Sequence, residues 1–321
     1  MTADIQPLAI APYCAADFLD LLSIAPGIYT GVPDETYHAI PLPSFHRIAP
    51  LVYDGASLGH YRGTISDPEA DWEDDSTTAM KVGRALHLAV FQPDVYKATV
   101  IDGPVNPKTN QGYGMDTKAF AACEAENPGC YVLPPGKVRT NIEAMAEEVL
   151  QHPRMVECMT GNCLMEATVI VDAPTSLTSS MRMKCRPDLW DLDTDMILDL
   201  KKCQCAANGA FSRKDIGNYN YDGQAALYRE LSGVAGRPID GFVFCAVEEA
   251  ANVWTPSGRR HGIMFHDLDQ LSMDAAWNHM EPHLVGLHTA IEADEWPGYS
   301  QDLEPISSPA WKRGGNKAMW D

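Results

Sequence analysis

The sequence predicts an α/β domain built on a short mixed sheet flanked by helices. Three observations predict it. Of 321 residues, 45% are hydrophobic, enough for a sizeable core and too many for a disordered chain. Two segments carry a 3.6-residue apolar period. Three later segments switch to period two before a further helix and strand, and the order helix, three strands, helix, strand is that of a mixed α/β fold.

Taken in order, residues 1–75 are rich in Pro, Gly and acidic residues and read as an N-terminal arm with a short helix or two over Pro43–Tyr61 and an acidic loop from Asp67 to Asp75. Ser76–Phe91 reads as a helix, because Ala79, Val82, Gly83, Leu86 and Val90 share one face, Ser76 suits an N-cap and Gln92-Pro93 ends the element. Pro and Gly then punctuate the chain to Gly136, around a helical stretch at Asp116–Glu126. Thr140–Gln151 is a helix with Ile142, Met145, Ala146 and Val149 on one side. Met165–Asp172 alternates, Met181–Arg186 alternates more sharply, and Met196–Lys201 is apolar at its start, which suggests a three-stranded meander. Ile216–Leu231 reads as a helix, Gly241–Val247 as a buried strand, Arg260–His266 as a further strand and Ser272–Glu292 as a closing helix. The domain boundaries follow: an N-terminal arm and acidic loop packing on the core at 1–75, a core domain at 76–295 and a thinly packed tail at 296–321.

No run approaches the length of a membrane span, and the N-terminus lacks the basic stretch of a signal peptide. Nine scattered cysteines form no paired zinc motif, Cys203-x-Cys205 is too tight for a zinc knuckle, and no four cysteines are placed for an iron–sulfur cluster. The expectation is reduced thiols in a cytoplasmic protein. A net charge of −20 argues against a protein that coats nucleic acid through bulk positive charge, but not against an enzyme whose basic surface is confined to one groove.

The chemistry concentrates at two strand ends. Arg186-Pro187-Asp188 closes the second period-two segment, and Asp199-Leu200-Lys201 lies on the third. Asp199 and Lys201 are two apart in a strand, so they point to one face. A turn at Asp191–Asp195 would bring Asp188 beside Asp199. Two adjacent carboxylates repel and call for a divalent cation; oxygen-rich ligands suit Mg²⁺, with Mn²⁺ as a substitute. A lysine beside them can orient a water or neutralise charge on a phosphate, the apparatus for phosphodiester hydrolysis. An acid-x-Lys triplet arises by chance about once or twice in such a chain. Asp116-Thr117-Lys118 is one such chance match, with no strand before it; the Asp199 triplet stands out because it ends an apolar strand.

Tyr221, Gln224 and Tyr228 share a helical face, which is either packing or a set of hydrogen-bonding groups for a phosphate backbone or the catalytic residues. His87, in Gly83-Arg84-Ala85-Leu86-His87, is either a structural histidine or a ligand. Glu166 is either a further ligand or a surface carboxylate.

These motifs together resemble the PD-(D/E)xK nuclease superfamily, and most closely the RecE-type exonucleases (exodeoxyribonuclease VIII) of phages and prophages. Pro26-Gly27-Ile28-Tyr29 and Tyr37-His38 resemble the start of that domain, so the resemblance spans roughly residues 25–250. It implies a restriction-endonuclease-like core, metal ligation by His87, Asp188 and Asp199 with Glu166 as a candidate, a water-assisting role for Lys201, and support of the site or the DNA by Gln224 and Tyr228. It implies digestion of linear duplex DNA from 5′ ends, a homo-oligomeric ring and a single-strand annealing protein as partner. Lys202 and Cys203 stand where the family usually has threonines. The alternatives are a PD-(D/E)xK endonuclease or Cas4-like end trimmer, and a non-catalytic DNA-binding module. Arg182, Lys184 and Arg186, with Lys202, Tyr221, Arg213 and Lys214, are expected to form a basic lane for DNA on an acidic exterior.

Overall fold

The computed structural model describes residues 7–21, 23–66, 78–174, 181–303 and 305–307. The acidic loop expected at Asp67–Asp75 and the N-cap expected at Ser76 lie outside them, as does the end of the tail. The main strands form two sheets. One has the order β1 (Ile10–Pro12), β2 (Gly27–Thr30), β4 (Thr168–Asp172), β5 (Arg182–Cys185). The other runs β9 (Ile263–Asp267), β8 (Gly241–Glu248), β7 (Met196–Cys203), β6 (Leu189–Asp191), β3 (Cys163–Met165). β7 and β8 are parallel; the other pairs of this second sheet are antiparallel.

Helices cover both faces of the second sheet. α4 (Thr78–Phe91) and α5 (Lys137–Gln151) lie against Leu198, Leu200, Cys245 and Val247. α6 (Tyr221–Val234) and α7 (Gln270–Ala293) lie against Ile197, Phe242, Phe244 and Ala246. Successive side chains of a strand face opposite ways, so Leu198 and Leu200 enter one core while Asp199 and Lys201, on the Ile197 face, turn towards α6. Near-continuous apolar sequence in β8 follows from burial on both sides.

The helical expectations hold at 78–91, 118–126, 137–151 and 270–293. Thr117 caps its helix, its Oγ1 accepting from Phe120 N at 3.3 Å, so the Asp116 triplet sits at a helix start. Three expectations need correction. The three-stranded meander is divided between two sheets: β5 pairs with β4, and a new hairpin, β6 with β7, follows it. Pro187 lacks an N–H and interrupts pairing there. The single strand expected over Met165–Asp172 breaks at Glu166, which has φ +50°. In the arm, β2 pairs with β4, and Phe45, Ile48, Leu51 and Val52 of α2 (Phe45–Tyr53) enter the main core. The tail begins packed, with Trp296 stacked on Tyr61 (centroids 6.4 Å apart) and Pro297 O accepting from Gly59 N at 2.9 Å. All nine cysteines are free thiols. Among the described residues no helix is long and apolar enough to cross a membrane.

One contact places α6 closely. A Cβ on Gly223 would lie 2.1 Å from Tyr53 Oη and 2.9 Å from Phe45 Cε2. Only glycine lets α6 approach α2 this nearly. Gly223→Ala is expected to destabilise the protein by about 1–3 kcal/mol, the usual range for overpacking. Thermal denaturation checks this; an unchanged midpoint would show that the two aromatic rings yield freely.

Candidate active site

The β6–β7 hairpin does what the Asp–Asp spacing requires. Leu189 faces Leu198 and Trp190 faces Ile197, so the next positions outward are Asp188 and Asp199. Asp195 takes the left-handed conformation that closes the turn. Asp188 Oδ2 accepts from Leu200 N at 2.7 Å and lies 3.3 Å from His87 Nδ1. The break at Glu166 also serves this site. Glu166 N donates to Asp188 O at 3.0 Å, and a left-handed backbone, unusual for glutamate, turns it out of its strand. Ligand atoms of His87, Glu166 and Asp188 all lie within 4.8 Å of one another.

Asp199 is 1% exposed. Its Oδ1 accepts from Gln224 Nε2 at 2.8 Å, and its Oδ2 lies 2.6 Å from Lys201 Nζ. Lys201 Nζ also donates to Gln224 Oε1 at 3.1 Å and sits 4.5 Å from the centre of the Tyr221 ring. Gln224 therefore holds both members of the Asp-x-Lys pair through its two amide ends. Tyr228, on the same helical face, donates to Arg186 O at 3.3 Å and so fixes the Arg186-Pro187-Asp188 corner. Its predicted role becomes positioning of that corner. Tyr228→Phe is expected to reduce turnover by less than about tenfold, the scale of one neutral hydrogen bond, with substrate affinity unchanged. Steady-state kinetics measure it.

The electrostatics are those of crowded charge. Burial, reinforced by Asp188, pushes the Glu166 carboxyl up to about 8. Burial would lower His87, but the Asp188 carboxylate outweighs it and raises the imidazole to about 9. Burial raises Asp199, against the pull of Lys201. Burial also opposes ionisation of Asp188, yet His87 and Lys201 hold its carboxyl below the usual value. Each charge needs a counter-charge. Among the described residues no aligned hydrogen-bond donor reaches Asp199 Oδ2, although the atom is buried; Lys201 meets it as an ion pair. Carboxylates with one imidazole, close together and crowded, fit a divalent cation held by His87, Glu166 and Asp188, with Asp199 beside them. Gly83, one helical turn before His87, leaves open space where a side chain would stand.

The expected DNA-contact residues separate. Lys184 is 1% exposed, with Nζ donating to Tyr37 O at 2.5 Å and Ile40 O at 2.8 Å. Arg186 is buried over the Tyr37 ring, donating to Val32 O at 3.0 Å and Thr168 Oγ1 at 2.9 Å. Arg182 donates to Ile24 O at 2.6 Å and pairs with Asp172. These three cations tie the arm to the first sheet, so they do not form a lane for DNA. Alternation along β5 was legible; that the arm would cover that face was not. Lys202 pairs with Glu249 at 2.9 Å and is mostly buried. Tyr221 borders Lys201, and Arg213 and Lys214 are exposed on the π-helical turn Ser212–Ile216 ahead of α6. Sequence reasoning missed Tyr219, 59% exposed and stacked on Tyr221 at 5.5 Å. Its signal was a tyrosine two residues from a tyrosine of the site, separated by Asn220 in the left-handed region.

Residues 64–309 match the family described as "PDDEXK-like domain of unknown function (DUF3799)". Among solved structures, the chain is similar to a protein of Eubacterium rectale described as "Putative exonuclease", with a TM-score of 0.54 and 13% identity, over 87% of this chain and 96% of that one. At that identity the likeness shows the fold, which is restriction-endonuclease-like. No curated protein matches the chain significantly. Pro187-Asp188 and Asp199-x-Lys201, brought together by the hairpin, are the residue types that the family's name spells, and the chain belongs to this PD-(D/E)xK-like family.

Proposed function

We propose that the protein is a metal-dependent deoxyribonuclease of RecE-like type, an exonuclease acting on ends of linear duplex DNA from 5′ to 3′. The observation that carries the reading is the Asp188–Asp199–Lys201 cluster, assembled on one hairpin and fixed by Gln224. Family membership supports a nuclease; the motif resemblance supports end-directed digestion. The reading includes a homo-oligomeric ring around DNA, 3′ single strands delivered to an annealing protein for recombination, and a cytoplasmic setting.

A bound divalent cation, Mg²⁺ or Mn²⁺, would supply charge to polarise the scissile phosphate and lower the pKa of water. His87, Glu166, Asp188 and Asp199 are the residues that would hold it. Lys201, kept by Gln224 and the Tyr221 ring, orients the attacking water and offsets negative charge as it builds on the phosphate. Tyr228 holds the Asp188 corner in register with Asp199.

The test is digestion of 5′-labelled, 3′-labelled and closed circular DNA with Mg²⁺. The proposal expects the 5′ label to be lost first and the circle to survive. A nicked circle would identify an endonuclease instead, and no digestion of any form would leave only DNA binding.

Cation binding should also displace protons. Glu166 and His87 are raised into the neutral range or above it, and a cation takes only their deprotonated forms. Mn²⁺ binding at pH 7 is therefore expected to release about one to two protons, with affinity rising as pH rises. Calorimetry in buffers of different ionisation enthalpy reads this; binding without proton release would mean that these two residues are not ligands.

A further inference from the structure

The segment between β8 and β9 forms a two-stranded ribbon that the site does not use. Val253–Thr255 pairs antiparallel with Gly258–Arg260, closed by Pro256-Ser257. Residues directly opposite in an antiparallel pair share a face. Trp254 faces Arg259, and Val253 faces Arg260. Trp254 is 76% exposed, and both arginines are exposed. A tryptophan this open presents an unpacked indole, a large apolar face with a polar N–H, to whatever meets the surface. Neither arginine forms an ion pair among the described residues, in a chain of net charge −20.

The ribbon is firmly rooted at the end of the sheet that bears the site. Lys201 pairs with Ala246, Lys202 with Val247 and Cys203 with Glu248, so β8 leaves the sheet two residues past the level of Lys201. At the root, His261 is buried, its Nδ1 2.8 Å from Glu248 O, and its N–H donates to Glu148 Oε2 on α5 at 2.9 Å. These two backbone–side-chain anchors hold the base, and the indole is exposed.

We propose that this ribbon binds an unpaired DNA strand, a base stacking on Trp254 and the adjoining phosphate meeting Arg259 on the same face. An indole face accepts any base, and an arginine beside it on the same face offers charge to the adjoining phosphate. Intact duplex shows no base faces along its length, so the surface selects single-stranded or frayed DNA. The inference rests on the nuclease reading for its substrate class, and it adds where the separated strand is held.

The test is fluorescence anisotropy with EDTA present, so that cleavage is off, using a labelled single-stranded oligonucleotide and a blunt duplex closed by hairpins at both ends. Trp254→Ala is expected to weaken single-strand binding about tenfold, the scale of one stacked base. Trp254→Phe should restore most of it. Arg259→Ala should flatten the dependence of log affinity on log salt by about 0.7, whereas Arg260→Ala, on the opposite face, should leave it unchanged. Binding of the closed duplex should change little. Wild-type single-strand affinity in either the Trp254→Ala or the Arg259→Ala variant would overturn the proposal, as would an equal loss for both DNAs. Failure of the wild type to cut DNA, with these binding differences intact, would remove the nuclease reading and leave the ribbon; cutting with unchanged binding would do the reverse.

Discussion

Lys201→Met is expected to lower DNA hydrolysis by at least about 10³-fold while leaving the fold intact. The magnitude is that of removing one preorganised group that stabilises transition-state charge, about 4 kcal/mol. The geometry explains why no neighbour takes over. Lys201 Nζ stands 2.6 Å from Asp199 Oδ2 and 3.1 Å from Gln224 Oε1, over the Tyr221 ring, at the inner edge of the site. Lys202 points to the opposite side of the strand and is paired with Glu249. The fold should survive because methionine keeps the stem that packs on Tyr221. It does leave Asp199 buried without its cation, so the Asp199 carboxyl should take up a proton. Lys201→Arg separates charge from shape: it keeps the charge but cannot fit the same contacts, so activity should stay well below that of the wild type. Initial rates on end-labelled duplex, with melting curves alongside, measure both.

Arg186→Met is expected to act on stability. Sequence logic placed Arg186 in a basic lane; the structure places it under the arm, where its guanidinium binds Val32 O and Thr168 Oγ1, stacks on Tyr37 and pairs with Asp34 at 3.4 Å. Methionine fills the volume but strands the buried carbonyl and hydroxyl. A loss of about 3 kcal/mol follows, or roughly 5–10 °C in melting temperature for a chain of this size. The salt dependence of DNA binding should not change, which separates this role from a phosphate contact. The effect has a pH signature. Burial works against ionisation of Asp34, but His38 and Arg186 overcome it and hold the carboxyl below its ordinary value. A carboxylate depressed in the folded state contributes stability above its unfolded pKa, near 4, and loses it as pH falls. The difference between wild type and variant should therefore narrow below about pH 4. A constant gap would mean that Asp34 is not the partner that matters.

Much of this was legible because local spacing carries it. Two residues apart in a strand fixes the shared face of Asp199 and Lys201, and i, i+3, i+7 fixes that of Tyr221, Gln224 and Tyr228. The Asp–Asp spacing gave the hairpin because turn residues crowd between them. What sequence could not carry was long-range. Nothing local to Met181–Arg186 tells that Tyr37 and Ile40 will offer carbonyls to Lys184, because those groups come from about 145 residues earlier. The same holds for the assignment of β5 and β7 to different sheets. Glu166 broke its strand against pattern: the apolar alternation continues through it, while the left-handed backbone that turns it into the site is imposed by Asp188 and the adjoining sheet.

The central claim is that Asp188, Asp199 and Lys201 form one hydrolytic site that works with a divalent cation. The most direct measurement is digestion of linear duplex DNA by wild type and by Asp199→Asn, with Mg²⁺ and with EDTA. The account predicts rapid loss of duplex only for the wild type with Mg²⁺, and essentially none for Asp199→Asn, a substitution that keeps the size of the side chain. Equal digestion by both proteins, or digestion by the wild type that persists in EDTA, would contradict it.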